Sequence, residues 1–313
     1  MELFDNVNYT DKVFAKPFIK WAGGKTQLLP VFQNFYPKEL KLGIIENYFE
    51  PFLGGASVFF DVVQKYGIKN SYLSDNNFDI FLIYKVIQRN VDVLIDELSQ
   101  LKRKYLKLTE TKREEFYYQL RENYNVDKAK IKTKKFEDNW ITRAGQMIFL
   151  NKTCFNGLYR LNKSGDFNVP FGKYTNPGIY DESNLRNVAE ILQSSNIVYG
   201  DFEYLQNKVN EKSFVYFDPP YRPISSTSTF NSYSKDGFND NDQRRLAACF
   251  KGLSFKGAKL MLSNSDPKNH NEKDEFFDDL YKGFNINRID ATRMINSNSE
   301  KRGKIKELLI TNY

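Results

Sequence analysis

Apolar runs of strand length recur along both ends of the chain, with helix-like segments between them. Near the N-terminus, residues 44–49 and 71–73 predict strands, and residues 57–66 predict a helix opened by Ser57. Beyond residue 185 the alternation resumes, and strands are predicted at residues 197–199, 214–217, 259–262, 286–289 and 308–311. Strands at this spacing predict an α/β fold, with a mostly parallel sheet covered by helices on both faces.

The middle of the chain has a different pattern. Residues 78–135 are helical by periodicity and contain neither glycine nor proline. Residues 151–174 are rich in turn formers, and the apolar segments 158–161 and 167–169 flank a central Lys-Ser-Gly-Asp turn. That arrangement predicts a β-hairpin. We therefore expect one α/β domain that is interrupted by a helical and hairpin insertion.

Charge is concentrated in the predicted insertion. The chain has a net charge of +7, and residues 101–135 hold 12 basic and 5 acidic residues, a surplus of 7 that equals the net charge of the whole protein. Such a surplus suits a polyanionic partner, because lysine and arginine near phosphates release counterions. A solvated helical face would give the same count, so both interpretations stay open at this point.

Other features of the composition exclude several classes of protein. Two cysteines and one histidine cannot build a disulfide framework, a zinc cluster or a multi-histidine metal site. No apolar run reaches the length of a membrane span, and the first residues lack the apolar segment of a signal peptide. We therefore expect a protein of the reducing cytoplasm.

A glycine-bearing turn and an acid surround the predicted N-terminal helix. Residues 51–55, which include Phe52 and Gly54, follow the first strand, and Asp75 follows the second. A unit of this kind binds the adenosine part of nucleotide-like cofactors, because glycine lets the backbone approach and the acid binds ribose hydroxyls. Taken alone, Asp75 could equally be a helix cap.

The sequence Asp218-Pro219-Pro220-Tyr221 directly follows the apolar run 214–217. It predicts a carboxylate and rigid carbonyls at the carboxyl edge of the sheet, where open α/β folds bind ligands. The amine of a nucleobase is a poor nucleophile, because its lone pair is delocalised into the ring. Acceptors on its two N–H bonds, from Asp218 and the Pro219 carbonyl, would favour a tetrahedral nitrogen, and Tyr221 offers a stacking face. A proline-terminated strand with a capping aspartate is the structural alternative.

Four short motifs occur in this order along the chain: PFIKWAGGK at residues 17–25, YFEPFLGG at 48–55, SDNN at 74–77 and DPPY at 218–221. Together they closely resemble the Dam-like, α-class DNA adenine-N6 methyltransferases that use S-adenosylmethionine. The hairpin segments NGLYR at 156–160 and FNVPFG at 167–172, and ELLITNY at 307–313, are also similar to that family. The resemblance covers nearly the whole chain, from residue 17 to residue 313.

The resemblance implies a Rossmann-like S-adenosylmethionine methyltransferase sheet, with residues 1–77 and 181–313 as the catalytic domain and residues 78–180 as the target-recognition domain. The implied catalytic residues are Asp218, Pro219, Pro220 and Tyr221. The implied cofactor contacts are Trp21, Lys25, Phe52, Gly54, Asp75 and Asp218. The implied DNA contacts are Asn156, Leu158, Arg160, Pro170 and Lys173. No metal is implied, and Lys173 stands where the family often has arginine.

The resemblance implies an enzyme that flips an adenine out of double-stranded DNA and methylates its N6, most readily within GATC. Arg160 is the hairpin residue expected at a guanine edge, with a phosphate contact as the alternative. Residues 224–233 are expected to form a loop over the target base. The rival hypotheses are a DNA-binding protein that holds the cofactor only as a ligand, and a methyltransferase of RNA adenine or cytosine N4. A restriction-modification or solitary role and the oligomeric state are left open.

Overall fold

Seven strands form one sheet in the computed structural model, which describes residues 14–133, 135–222, 238–292 and 304–313. They are β1 (Asn47–Glu50), β2 (Asn70–Asp75), β3 (Ser195–Tyr199), β4 (Ser213–Phe217), β5 (Lys259–Ser265), β6 (Asn285–Thr292) and β7 (Lys304–Thr311). Each corresponds to a predicted strand. The first begins three residues later than predicted, because the chain turns at Gly43 with φ +71° and leaves Ile44 exposed. The loop predicted at 224–233 lies outside the described residues.

The strand order is β3-β2-β1-β4-β5-β7-β6. All neighbouring pairs from β3 to β5 are parallel. In the described part of the sheet β7 runs in the opposite direction, and it lies between β5 and β6. The predicted mostly parallel sheet is therefore confirmed, and its reversed strand brings the start of β7 to the edge where the parallel strands end.

Helices cover the two faces and build the insertion. In the described residues they are α1 (Leu29–Phe35), α2 (Lys38–Lys41), α3 (Ser57–Tyr66), α4 (Phe78–Leu106), α5 (Glu110–Asp127), α6 (Asn139–Thr153), α7 (Glu182–Leu192), α8 (Asp240–Phe255) and α9 (Phe276–Leu280). Successive residues of the strands point to opposite faces. Tyr48 and Tyr216 join the apolar core with α3, α4 and α6, whereas Phe49 and Phe217 join a second core with α8 and α9.

The predicted opening of α3 by Ser57 is wrong. The residue before the helix is Ala56, which is left-handed at φ 56°, and no side chain caps the helix. Ser57 is instead the first helical residue, and its hydroxyl lies 3.0 Å from that of Thr26. After the tight turn at residues 51–55, Ala56 is left-handed and Ser57 is already helical, so Ser57 is not in position to cap the helix.

The predicted hairpin is present, although its pairing is sparse. The chain doubles back between residues 154 and 171, with antiparallel bridges at Leu161–Phe167 and Cys154–Phe171. The Asn168 amide donates to the Arg160 carbonyl at 3.1 Å. These isolated bridges do not extend into strands, because α5 rather than a longer ladder binds much of the hairpin backbone: Tyr117 and Arg121 donate to the Val169 carbonyl at 2.8 and 3.0 Å.

Candidate active site

The sheet has a topological switch point between β1 and β4. The chain passes from β1 outward to β2 and β3, and then returns to the other side of β1 through β4. Parallel strands that diverge in this way leave a crevice at their carboxyl ends, where open α/β proteins bind ligands. Three predicted segments meet at this edge: residues 51–55 follow β1, Asp75 ends β2, and Asp218 directly follows β4.

A cluster of charged side chains lies at the end of β4. The Lys25 ammonium is 2.5 Å from Asp218 Oδ1 and 3.5 Å from Glu307 Oε1. The Tyr221 hydroxyl donates to the two oxygens of Glu307 at 2.9 and 3.1 Å, and the Ser263 hydroxyl donates to Asp218 at 3.2 Å. One ammonium thus lies between two carboxylates, and residues from four distant parts of the sequence form a single site.

Burial and charge act against each other in this cluster. Burial by itself would lower the pKa of Lys25, but Asp218, Tyr221 and Glu307 raise it well above its ordinary value. For Asp218 and Glu307, burial raises the pKa of each carboxyl, although the Lys25 ammonium opposes that effect. The site is therefore largely desolvated, and Lys25 is the group that favours ionised carboxylates in it.

The two prolines fix the backbone after Asp218. Pro219 is buried, and the Pro220 carbonyl accepts a hydrogen bond from Gln243 Nε2 of α8 at 3.2 Å. Tyr221 follows and is 39% exposed as a residue, while its hydroxyl donates to the buried Glu307. The four residues therefore present an acid and an accessible aromatic ring at one rigid strand end.

Asp75 holds the glycine turn rather than capping α4. Its Oδ2 accepts from the Gly54 amide at 2.9 Å, and its Oδ1 accepts from the Asn77 amide at 2.8 Å. Asn77 provides the cap, because its side chain accepts from the amides of Asp79 and Ile80. Burial raises the pKa of Asp75 to about 6, in spite of the two amide donors. The alternative of a simple helix cap is excluded for Asp75.

Trp21 connects the glycine turn to the hairpin. Gly54 has φ +44°, and a Cβ at that position would lie 2.7 Å from two atoms of the Trp21 ring. Glycine is therefore required there both by the backbone angle and by the tryptophan. On its other side, the Trp21 ring lies 5.2 Å from the Tyr159 ring, centroid to centroid.

An aromatic cluster lies beside the same turn. The Phe52 ring is 5.6 Å from the rings of both Phe202 and Phe238, and it is half-buried. Phe202 follows Asp201 at the end of β3, where the Gly200 amide donates to the Asp75 carbonyl at 3.1 Å. Phe202 was not predicted from the sequence, although Asp201 just before it follows a predicted strand as Asp75 does.

Arg160 is held by its own hairpin. Its Nε donates to Asn168 Oδ1 at 2.8 Å, and its Nη2 lies 3.4 Å from the Asn168 carbonyl. The side chain is half-buried. Asn168 thereby fixes the plane of the guanidinium on one side.

The other predicted DNA contacts lie along the same hairpin. Asn156 and Lys173 are exposed and left-handed, with φ 55° and 56°. Pro170 is exposed, and its carbonyl accepts from the Phe155 amide at 2.9 Å. Leu158 is half-buried and packs on the larger core. The structure therefore places Asn156, Pro170 and Lys173 on the surface and Leu158 partly beneath it.

Asp79 joins three other parts of the insertion in a buried polar network. Arg143 donates to both of its oxygens, at 2.7 and 3.1 Å, and the hydroxyls of Tyr124 and Tyr159 donate to Oδ2 at 2.6 and 2.9 Å. These donors belong to α6, α5 and the hairpin, whereas Asp79 lies in the first turn of α4. The network was not predicted, since a charge near a helix start ordinarily indicates only a favourable dipole contact.

The basic segment at residues 101–135 is partly directed inward. Arg113 donates to the carbonyls of Tyr105, Thr175 and Leu106, and Lys128 donates to Asp166 of the hairpin turn at 2.7 Å. Other cations of the segment, including Arg103 and Lys107, are exposed. Part of the positive surplus therefore fixes the hairpin, a role that neither interpretation of the sequence included, and part of it faces solvent; a polyanionic partner stays a prediction.

The described ranges contain neither a metal-binding cluster nor a membrane-spanning helix. Among those residues, no three or more histidine, cysteine, aspartate or glutamate side chains are placed to hold a metal ion. No helix within the same ranges has the length and apolar character that crossing a membrane requires.

Comparisons with known proteins agree with one another. The profile of the D12 class N6 adenine-specific DNA methyltransferases matches residues 21–295. The Type II methyltransferase M.MjaIII of Methanocaldococcus jannaschii is 52% identical over 96% of this chain and 99% of its own length. The Type II methyltransferase M1.LlaDCHI of Lactococcus lactis is 37% identical over 98% of this chain and 99% of its own. The DNA adenine methylase of Escherichia coli K12 is 32% identical over 94% of each chain.

Proposed function

The chain belongs to the D12 class N6 adenine-specific DNA methyltransferases, and we propose that it transfers the methyl group of S-adenosylmethionine to N6 of an adenine flipped out of double-stranded DNA. The observation that carries the proposal is the arrangement of Asp218, Pro219 and Tyr221 at the switch point of the sheet, beside the Asp75–Gly54 turn. The Asp218 carboxylate and a turn that suits a nucleotide-like cofactor are next to each other there. A transfer between two bound substrates requires such an arrangement.

Asp218 has the chemistry to activate an amine. Its carboxylate accepts hydrogen bonds in this structure from Lys25 and Ser263, so the oxygen already lies in a preformed donor environment. An adenine amine that donated to Asp218 and to the Pro219 carbonyl would take up tetrahedral geometry and regain its lone pair. The accessible Tyr221 ring would stack on the base. Positioning and hydrogen bonding are the main contributions of these residues to the rate.

The residues at the glycine turn fit S-adenosylmethionine. An ionised carboxylate has about four acceptor sites, and Asp75 uses one on each oxygen for Gly54 and Asn77. Acceptor capacity for ribose hydroxyls therefore remains on both oxygens. Phe52 offers an aromatic surface to an adenine ring, and Trp21 and Lys25 border the same turn and carboxylate edge. When bound, the cofactor supplies a methyl group on a positively charged sulfur.

The hairpin and the exposed part of the basic segment are the proposed DNA-binding surface. The N6 amine is paired and stacked inside the duplex, so the base must leave the helix before it can reach Asp218. Asn156, Arg160, Pro170 and Lys173 lie on or near the hairpin surface, and Leu158 supports it from beneath. Exposed cations such as Arg103 would contact phosphates. We assign the catalytic domain to residues 1–77 and 181–313, and target recognition to residues 78–180.

We propose GATC as the target sequence. The resemblance of residues 156–160 and 167–172 to Dam-like hairpins supports this choice, and the Arg160 guanidinium has the donor geometry for guanine O6 and N7. Nη1 of Arg160 has no role in the contacts to Asn168, which involve Nε and Nη2. A guanine could therefore approach the outer end of the guanidinium while Asn168 keeps the inner side fixed.

A transfer assay tests the proposed reaction. The chain is incubated with methyl-labelled S-adenosylmethionine and duplexes that carry GATC or a permuted GTAC, and the modified base is identified by mass spectrometry. We expect N6-methyladenine on the GATC duplex, and little label on GTAC. An Asp218→Ala variant is the matched control for label that arises without this site.

Other outcomes would redirect the assignment. Label on cytosine N4, or on RNA of the same sequence but not on DNA, would identify a different substrate amine. Binding of cofactor and DNA without any label would identify a DNA-binding protein that holds the cofactor only as a ligand. Equal labelling of the two duplexes would refute GATC while leaving adenine-N6 transfer in place.

A further inference from the structure

Glu307 is a buried acid on the strand that runs against the others. It is 2% exposed and stands in β7 opposite Ser265 of β5 and Ile289 of β6. Its carboxylate accepts the Tyr221 hydroxyl and lies 3.5 Å from the Lys25 ammonium. A buried carboxylate in a β-strand is costly unless it is paired, so its place beside two residues of the proposed site requires an explanation.

Lys25 has two carboxylates within reach. Its ammonium is 2.5 Å from Asp218 Oδ1 and 3.5 Å from Glu307 Oε1, and it also donates to the Gly23 carbonyl at 2.8 Å. Lys25 therefore shares Asp218 Oδ1 with the Ser263 hydroxyl, and its positive charge weakens Asp218 as an acceptor for the substrate amine. If all three groups are ionised, the cluster carries one net negative charge, and Glu307 is the acceptor to which the ammonium can shift.

We propose that Glu307 is a positioning residue for the methyl-transfer step: it takes up the Lys25 ammonium when the adenine amine arrives at Asp218, and it holds the Tyr221 ring in place by accepting its hydroxyl. This role rests on the proposed function. Both carboxylates lie within 3.5 Å of the Lys25 ammonium, so the ammonium can change partner without leaving the site. The hydrogen bonds from Tyr221 to Glu307 fix the hydroxyl end of the stacking ring.

Single-turnover transfer with saturating S-adenosylmethionine and duplex DNA tests this role. Glu307→Gln keeps the size and an acceptor for Tyr221 but removes the charge that attracts Lys25. We expect a transfer rate about 10- to 100-fold below wild type, as for a misplaced reacting group. Because the loss arises after binding, the dissociation constants of cofactor and DNA should change far less than the rate.

The double variant Lys25→Gln/Glu307→Gln gives the sharper result. It restores the net charge of the cluster and releases the Asp218 oxygen, so it should transfer methyl about tenfold faster than Glu307→Gln alone, although it carries one substitution more. A purely structural role for Glu307 predicts the opposite, since a second buried change would lower the rate further. A double variant slower than Glu307→Gln would therefore overturn the exchange of Lys25 between the carboxylates.

Asp61→Asn is the matched control. Asp61 is another buried carboxylate that accepts a tyrosine hydroxyl, from Tyr36 at 3.0 Å, and a lysine ammonium, from Lys65 at 2.5 Å, but it lies on α3 away from the cluster. Its variant should transfer methyl at the wild-type rate. If Glu307→Gln transfers methyl at the wild-type rate, the role of Glu307 is refuted and the proposed reaction is not. If the wild-type chain transfers no methyl, both the reaction and the role of Glu307 are refuted.

Discussion

The pH dependence of cofactor binding is the sharpest prediction for Asp75. Burial raises the pKa of this carboxyl to about 6, from 3.8 for an exposed aspartate. Ribose hydroxyls donate hydrogen bonds, so they bind the ionised carboxylate and not a protonated oxygen. The cofactor therefore favours the form of Asp75 that exists above pH 6, and binding releases a proton when it takes place below that pH.

The size of the effect follows from the pKa. With a pKa of about 6, roughly one Asp75 carboxyl in eleven is ionised at pH 5, so affinity should be about tenfold weaker at pH 5 than at pH 7 and nearly constant above pH 7. Asp75→Asn should bind the cofactor about 10- to 150-fold more weakly at pH 7, the equivalent of a lost hydrogen bond to a charged group, with little further change at pH 5.

Isothermal titration with S-adenosylhomocysteine, the unreactive product, measures this dependence from pH 5 to pH 8. His270→Gln, which changes the exposed and single histidine of the chain, is the control and should keep the wild-type curve. A flat wild-type curve, or a variant Asp75→Asn that keeps the slope, would show that Asp75 does not bind the ribose.

Three further predictions concern transfer and DNA binding. Asp218→Ala should lower the methyl-transfer rate about 10²–10³-fold, because a preorganised partner of the amine is lost; an unchanged melting temperature would separate this loss from misfolding, and activity within threefold of wild type would refute the assignment. Arg160→Ala should weaken binding to GATC DNA by about 1–3 kcal/mol and affect a duplex altered at the guanine very little; equal weakening of both duplexes, measured by fluorescence anisotropy, would make Arg160 a phosphate contact. Arg103→Gln with Lys104→Gln should weaken both duplexes alike and reduce the salt slope by about one unit for each lost contact; loss of GATC binding alone would contradict the phosphate role.

The fold could be predicted because its strands are short apolar runs between helices. All seven runs become strands, and Asp75 and Asp218 could be identified because an acid directly after such a run must lie at the carboxyl edge. Those inferences need only local sequence and the rule that parallel strands end together.

Contacts between distant residues could not be predicted in this way. The Lys25–Asp218 pair joins residues 193 positions apart, and the Tyr221–Glu307 pair joins residues 86 positions apart. The sequence shows Glu307 as an acid at the start of an apolar run. Its role, however, depends on the antiparallel direction of β7 in the sheet. The charge count of residues 101–135 was misleading for Arg113 in a similar way. A count does not show where a side chain points, and Arg113 donates to backbone carbonyls.

The place of β7 in the sheet has a consequence for the order in which the enzyme is assembled. Lys25 and Asp218 leave the ribosome long before Glu307, and β6, synthesised before β7, has β7 as its neighbour in the sheet. Because β6 pairs with β7 and not with β5, it joins the sheet only together with β7. A nascent chain could thus form the cofactor turn and the first five strands with Lys25 resting on Asp218, and the acid that competes for it would arrive with the final hairpin. Catalytic competence would then depend on the pairing of β7 with β5 rather than precede it.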